Sequence, residues 1–239
     1  MKKIHQILVI AAACGLVLGV HIYWLSQKDG FHVDEGMTIA LTFYNDYFMA
    51  RNYDFDREYT GKEIKEESFI NNSGFKETLL DIKRLWEDNR DPPHTNLYYS
   101  LLRIGMMGLE TTDIKPIIFR GGILNVMLLI VSFIFFLLLM RLLFPGSLFL
   151  QCAVTVCAFL STAVISNTVF IRPYQIQGTM FIIFAYYFIK TINTTNTKAF
   201  NVKVLLLFSL ITGVTLLTGY YAIVFIGLFG LYAIYINCR

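Results

Sequence analysis

The chain has 239 residues, of which 56% are hydrophobic, with a mean hydropathy of +0.56 and a formal net charge of +3. This apolar fraction exceeds the roughly one half found in soluble domains, so the composition excludes an ordinary soluble protein and indicates an integral-membrane one. All 17 Asp and Glu residues lie between Asp29 and Asp113. The sequence therefore predicts one aqueous region between apolar segments.

The first apolar run, residues 5–26, predicts a transmembrane helix. Residues Ile7 to Leu25 rise about 28 Å in helical geometry, which matches the hydrocarbon core of a bilayer. Lys2 and Lys3 precede the run and favour a cytoplasmic N-terminus. A cleaved secretory signal is the alternative, but the run continues to Leu25 without ending at a small-residue cleavage site. The acidic region, residues 28–115, is then expected outside the membrane.

Apolar residues recur at helical spacing in three parts of this external loop, which predicts amphipathic helices along the membrane surface. The first helix is predicted from Asp34 to about Ala50, with one apolar face formed by Met37, Leu41, Tyr44 and Phe48. The second places on one face Phe75, Leu79, Ile82 and Trp86. The third follows the turn at Asp91-Pro92-Pro93 and places on one face Leu97, Leu101, Ile104 and Gly108.

The rest of the chain divides into five further apolar segments, near residues 116–143, 147–167, 173–191, 202–218 and 220–237. Alternation from a cytoplasmic N-terminus puts nearly all cations after the loop inside, as the positive-inside rule expects: Arg141, Lys190, Lys198, Lys203 and Arg239. Arg172 is left outside, against this trend. The sequence thus predicts an all-α integral membrane protein, one domain over residues 1–239, with about six transmembrane helices.

Asp34 and Glu35 are adjacent carboxylates at the predicted outer membrane surface. On a helix their side chains diverge by about 100°, so one is expected to act directly and the other to support it. One interpretation is that Asp34 caps the helix and Glu35 favours its positive end. The other is that Asp34 is a general base that removes a proton from an attacking hydroxyl. The two interpretations are compatible.

Arg172 and Tyr174 are candidate binding residues on the same side of the membrane. A guanidinium group matches phosphate oxygens, and Pro173 fixes the turn between the two residues. The alternative for Arg172 is a surface arginine that snorkels to the interface.

Aromatic and polar residues at two other places are suited to stacking on sugars and bonding to them. His94, Tyr98 and Tyr99 follow the proline pair, and Tyr220 and Tyr221 lie between the last two apolar segments. The alternative for both groups is an interfacial aromatic belt.

The order of these elements resembles the C-type superfamily of membrane glycosyltransferases, which includes protein O-mannosyltransferases, lipid A aminoarabinose transferases and bacterial dolichyl-phosphate-mannose-mannosyltransferase-like proteins. The resemblance covers roughly residues 1–235. Its elements are one span after a cytoplasmic N-terminus, an external loop opening with Asp34-Glu35, a Pro92-Pro93 segment, and an external Arg172-x-Tyr174 motif. Tyr220-Tyr221 look like the family's Tyr-Tyr turn, although Thr218-Gly219 stand where a histidine often precedes it.

This resemblance implies inverting transfer of a sugar from a polyprenyl-phosphate donor to a hydroxyl or amine of a glycan, lipid or protein acceptor. The reaction is expected at the outer face of the inner membrane, with Asp34 as the catalytic acidic residue and Glu35 as its neighbour. The other candidate residues would bind substrate. Family members continue for several more spans, so the resemblance also predicts that this chain is a fragment or a truncated reading frame.

Two other functions fit parts of the sequence. A transporter of lipid-linked sugars would need ionisable residues within its spans, but no Asp or Glu occurs in any predicted span. A non-catalytic membrane subunit would use the loop to bind a partner, and we expect no nucleic-acid partner in either case. Oxygen ligands suit Mg²⁺ or Mn²⁺, so a cation that bridges the donor phosphate and one carboxylate is an option that the acidic pair alone does not establish.

Overall fold

The computed structural model describes residues 2–44, 56–63, 74–89, 91, 94–111, 113–195 and 202–238, and this part of the chain is helical with no strand. The helices are α1 (Lys2–Ser26), α2 (Val33–Thr42), α3 (Phe75–Glu87), α4 (Leu97–Gly105), α5 (Ile114–Leu143), α6 (Leu148–Phe159), α7 (Thr162–Val169), α8 (Tyr174–Thr195), α9 (Val202–Leu216) and α10 (Tyr221–Asn237). The all-α prediction is confirmed. The prolines of the predicted turn at residues 92–93, Phe48 of the first predicted amphipathic helix and most of residues 51–74 lie outside the described residues.

Two described helices are long and apolar enough to cross a membrane, namely Lys3–Ser26 and Ile114–Leu143. The pair α6 and α7 is a third candidate span if it counts as one element, with a bend of 58° at its break. At this break the buried side chain of His21 on α1 lies with Nε2 2.9 Å from the carbonyl oxygen of Phe159. That contact supplies a partner for a carbonyl group that the interrupted helix leaves free.

Helix α5 lies at the centre of the molecule and contacts α1, α4, α6, α7 and α8. Two adjacent glycines on α5 leave room for side chains from neighbouring segments to lie against its backbone. A Cβ atom at Gly122 would lie 2.5 Å from the side chain of Leu25, and one at Gly121 would lie 2.8 Å from the side chain of Ile171. Glycine at these positions therefore brings α5 close to the end of α1 and to the connection between α7 and α8.

Helix α2 is shorter than the sequence predicts. It ends at Thr42, and Tyr44 adopts a left-handed backbone with φ of 53° that breaks the helical path. The prediction of one continuous helix from Asp34 to about Ala50 is therefore wrong at Phe43 and Tyr44, and residues 45–50 lie outside the described residues. The side chains from Thr38 to Phe43 are all buried, so no single apolar face distinguishes this helix.

Helices α3 and α4 occur where the sequence predicts them, but they bury other faces. On α3 the predicted apolar face is exposed, with Phe75 at 68% and Leu79 at 51%, whereas Asp81 is buried. The reason is Arg103 of α4, which is fully buried and donates from Nε to Asp81 Oδ2 over 2.9 Å. The ion pair turns the polar face of α3 towards α4. Ile104, which lies on the predicted apolar face of α4, is 54% exposed.

Candidate functional site

The carboxylate of Glu35 is a buried anchor that joins three segments of the chain. It accepts hydrogen bonds from the Lys28 ammonium at 2.7 Å, the His32 backbone N–H at 2.9 Å and the Ile171 backbone N–H at 2.7 Å. Its side chain is fully buried. Because the carboxylate is buried and held by three donors, Glu35 has the geometry of a supporting group.

Asp34 differs sharply from its neighbour, because its side chain is 40% exposed. The helix cap is His32, whose Nδ1 accepts a hydrogen bond from the Asp34 backbone N–H at 3.3 Å. The interpretation that Asp34 caps the helix is therefore wrong. Its carboxylate oxygen Oδ2 lies 3.6 Å from His32 Nδ1 and is open to a ligand.

Arg172 lies between Asp34 and a second carboxylate. Its Nη1 donates to Thr38 Oγ1 at 3.0 Å, to the backbone oxygen of Asp34 at 3.4 Å and to Asp91 Oδ2 at 3.4 Å. Arg172 is 7% exposed, which contradicts the snorkelling interpretation. Its Nε is buried and has no hydrogen-bond partner in the described part of the chain. The Nε–H group is thus a hydrogen-bond donor that the described part of the protein leaves unused.

Asp91 is the site residue that the sequence analysis missed. Its Oδ2 accepts from the hydroxyl of Tyr99 and lies 3.4 Å from both His94 Nδ1 and Arg172 Nη1. Burial alone would raise the pKa of Asp91, but hydrogen bonds from His94 and Tyr99 and the charges of Arg172 and His94 together lower it. Asp91 is therefore an ionised partner of Arg172. The only sequence signal was an acidic residue directly before a proline pair.

Four aromatic rings form a row from His32 to His94. Phe170 lies 5.4 Å from the His32 ring and 6.3 Å from the Tyr174 ring, to which it is parallel within 2°. Tyr174 in turn lies 5.9 Å from the His94 ring, and Arg172 lies 5.9 Å from the Tyr174 ring centroid. The row connects the surroundings of Asp34 with those of Asp91. Tyr174 and His94 are therefore linked through this row of rings to His32, which caps the helix of Asp34 and Glu35.

Tyr98 and Tyr99 lie inside the protein, unlike residues that would present their rings to a sugar. Each is 1% exposed, and burial raises the pKa of both hydroxyls well above the usual range. The Tyr98 hydroxyl donates to Asn125 Oδ1 at 2.9 Å, and the Tyr99 hydroxyl donates to Asp91. Their contacts with the site are therefore through hydrogen bonds that position other groups.

Tyr220 and Tyr221 lie at the turn between α9 and α10, at the edge of the site. Their exposed fractions are 53% and 63%, and no hydrogen bond or ring contact among the described residues joins them to Arg172. The turn itself reaches the site region, because the Thr95 hydroxyl donates to the carbonyl oxygen of Leu217. The structure thus brings seven of the nine predicted residues together and leaves the Tyr-Tyr pair beside them.

An apolar groove of about 310 Å³ runs along α7 and ends at the aromatic row. Its walls come from α1, α7 and the residue that follows α7: Trp24, Thr162, Ile165, Ser166, Val169 and Phe170. Phe170 at the groove end also faces Lys28, whose Nζ lies 6.0 Å from the ring centroid. Phe170 therefore belongs both to the wall of the apolar groove and to the aromatic row.

Comparison with protein-family models, with curated proteins and with solved structures found no match to this chain. The site is therefore interpreted from its own chemistry. Among the described residues, no group of three or more His, Cys, Asp or Glu side chains is arranged to hold a metal ion. The distinctive features are one half-exposed carboxylate on Asp34 and one buried guanidinium group on Arg172 whose Nε has no hydrogen-bond partner among the described residues.

Proposed function

We propose that this membrane protein transfers a sugar from a polyprenyl-phosphate donor to an acceptor hydroxyl or amine. The observation that carries the proposal is the buried Nε of Arg172, which has no hydrogen-bond partner in the described part of the chain, on a side chain whose Nη1 donates to the backbone oxygen of Asp34, the residue with the half-exposed carboxylate. A guanidinium edge binds a phosphate through paired hydrogen bonds, and a nearby accessible carboxylate is suited to take a proton. Both groups are needed for glycosyl transfer from a lipid phosphate.

In the proposed reaction, Asp34 removes the proton from the acceptor hydroxyl as its oxygen attacks the anomeric carbon of the donor. The bond between that carbon and the phosphate oxygen breaks, and the configuration inverts because attack and departure occur on opposite faces. The phosphate leaves with the electron pair, and Arg172 stabilises its growing negative charge. Glu35 holds the Asp34 segment through its contacts with His32 and Ile171. The proton ends on Asp34.

The apolar groove along α7 supports a lipid-linked donor. A chain lying against Ile165 and Val169 would reach Phe170 with its polar end close to Lys28. The sugar would then lie along the aromatic row, whose rings suit the apolar faces of pyranoses. Asp91 keeps Arg172 in place in this arrangement, and its lowered pKa makes it a weaker base than an ordinary carboxylate.

We further infer a plasma-membrane topology of six spans, with the N-terminus in the cytoplasm and residues 28–115 outside. The candidate spans α1 and α5, and the bent pair α6 and α7, support this arrangement. Helices α8, α9 and α10 are assigned to the remaining three spans. The exposed apolar face of α3, with Phe75 and Leu79, would lie on the outer membrane surface.

A photoreactive polyprenyl phosphate tests the proposal directly. The wild-type chain in nanodiscs should be labelled near Arg172, and Arg172→Gln should lose most of the label. Lys115→Gln is the matched control, since Lys115 is an exposed cation on the same proposed side of the membrane. A chain that is not labelled above background would be a partner-binding subunit. A chain that moves the lipid across the membrane without transferring sugar would be a transporter.

A further inference from the structure

The segment 168–172 carries Arg172 but has lost much of its helical hydrogen bonding. It connects α7 and α8, and Phe170 has an extended backbone with φ of −87° and ψ of 117°. Carbonyl groups at such a break must find partners elsewhere, because no water is available to them inside a membrane protein. The position of Arg172 therefore depends on which groups bind this segment.

Asn125 on α5 supplies two of these partners. Its Nδ2 donates to the carbonyl oxygen of Thr168 at 3.1 Å and to that of Phe170 at 2.9 Å. Asn125 is fully buried within a long apolar helix, where an amide without partners would be costly. Because the two backbone oxygens only accept hydrogen bonds, they fix the amide nitrogen on their side and leave Oδ1 pointing the other way.

Tyr98 completes the contact from the loop. Its hydroxyl donates to Asn125 Oδ1 at 2.9 Å, and both side chains are buried. All the strong hydrogen-bonding groups of the Asn125 amide thus have partners. The result is a connection from α4, through α5, to the backbone on either side of Phe170.

Gly121 and Glu35 hold the same segment from two further directions. Gly121 precedes Asn125 by one helical turn, and a Cβ atom there would lie 2.8 Å from Ile171. The Ile171 N–H donates to Glu35 Oε1 at 2.7 Å. The peptide between Phe170 and Ile171 is therefore held at its carbonyl oxygen by Asn125 and at its N–H by Glu35, and the Ile171 side chain packs against Gly121.

We infer that Tyr98 and Asn125 are positioning residues that hold segment 168–172 so that Arg172 faces the substrate phosphate. The role of Arg172 in this inference rests on the proposed function. The fixed position of segment 168–172 is a property of the protein without substrate. In the substrate, the groups concerned would be the phosphate oxygens of the lipid-linked donor. Neither Tyr98 nor Asn125 contacts them.

Hydrogen exchange of the full chain in nanodiscs measures the holding without any substrate. Asn125→Leu should raise the exchange rates of the Ile171 and Arg172 amides by about tenfold or more. Tyr98→Phe, which removes a single oxygen atom and preserves the ring, should raise them by about fivefold, as expected for one lost neutral hydrogen bond. Ser132→Ala is the control, because Ser132 is also buried on α5 but bonds Thr179 of α8 at 2.7 Å.

A second measurement follows Arg172 itself. Labelling by an arginine-selective reagent should increase at Arg172 in both variants and stay at the wild-type level in Ser132→Ala. Labelling by the photoreactive polyprenyl phosphate should fall in the same order as amide exchange rises. The inference would be overturned if Tyr98→Phe and a folded Asn125→Leu both kept the exchange rates and the reagent labelling of the wild type. It would also be overturned if exchange increased in these variants while lipid labelling did not fall. A wild-type chain that is not labelled by the lipid probe refutes the proposed function. Amide exchange and reagent labelling would still test whether Tyr98 and Asn125 hold segment 168–172.

Discussion

The region around Arg172 and the hairpin of α9 and α10 are built by different interactions. Around Arg172, buried polar groups bind one another across distant segments, as in the contacts of Glu35 and Asn125. In the hairpin, outward-facing apolar residues such as Leu228 and Leu231 are 62% and 65% exposed. Its inner face packs mainly through phenylalanine rings, including a stacked pair, Phe181 and Phe225, with centroids 4.1 Å apart.

This difference determines how well each region tolerates amino-acid substitutions. Hydrogen bonds to buried groups depend on direction, and a buried donor or acceptor that loses its partner bears the full cost of its desolvation. Apolar contacts have no such requirement, and neighbouring side chains adjust to small changes in volume. We therefore expect single substitutions to have large effects around Arg172 and small effects on the outer faces of the hairpin.

The largest effect on stability is expected for Glu35→Gln. The amide is uncharged and would leave the Lys28 ammonium, 10% exposed, without its counter-ion. Breaking a buried ion pair costs about 3–5 kcal/mol. Thermal denaturation in detergent should show a large drop in melting temperature, whereas Asp34→Asn, one residue earlier and half-exposed, should remain close to wild type. Equal melting temperatures for the two variants would contradict the division between support and reactive group.

A smaller effect is expected when the glycines of the two regions are exchanged for alanine. Gly121→Ala forces Ile171 to move and should cost about 1–3 kcal/mol. Gly227→Ala on α10 meets no atom within 4 Å of its new Cβ and should be neutral or stabilising by up to about 1 kcal/mol. The same denaturation assay compares them. A destabilised Gly227→Ala beside an unaffected Gly121→Ala would reverse the proposed contrast.

The pH dependence of stability should be the smallest of these effects. The folded-state pKa of Asp91 is lowered, so its contribution is present above the unfolded carboxyl pKa of about 4 and is lost as the pH falls through the folded value. Asp91→Asn removes this titration. The difference in melting temperature between wild type and Asp91→Asn should therefore become smaller as the pH falls from neutral to below about 4. A difference that grows on acidification would show that Asp91 is not held ionised.

The sequence was sufficient to predict features that depend on residues close together along the chain. The apolar runs predicted α5 and α8 to α10 closely, and the helical spacing from Phe75 to Trp86 predicted α3. It could not predict which face of α3 is buried, because that depends on Asp81 pairing with Arg103, 22 residues away.

The candidate site shows the same limit over longer distances. Asp34 and Arg172 stood out because each is unusual at its place in the predicted topology. Asp91 did not, since its importance comes from contact with Arg172, 81 residues later. Asn125 carries no local signal either, because one amide in an apolar run is ordinary. Tyr98 was predicted to bind sugar, and its contact with Asn125 could not be read from the sequence. Their roles follow from the packing of α4 and α5.

The most direct test of the proposed function is sugar transfer by Asp34→Asn, measured with a radiolabelled polyprenyl-phosphate sugar and compared with Asp29→Asn. Asp29 is an exposed acidic residue five positions earlier, so it controls for the loss of one external charge. We predict that Asp34→Asn keeps its fold and its lipid labelling but loses transfer by about 10²-fold or more, as expected for a general base, while Asp29→Asn transfers normally. Undiminished transfer by a folded Asp34→Asn would contradict the assignment of Asp34 as the base.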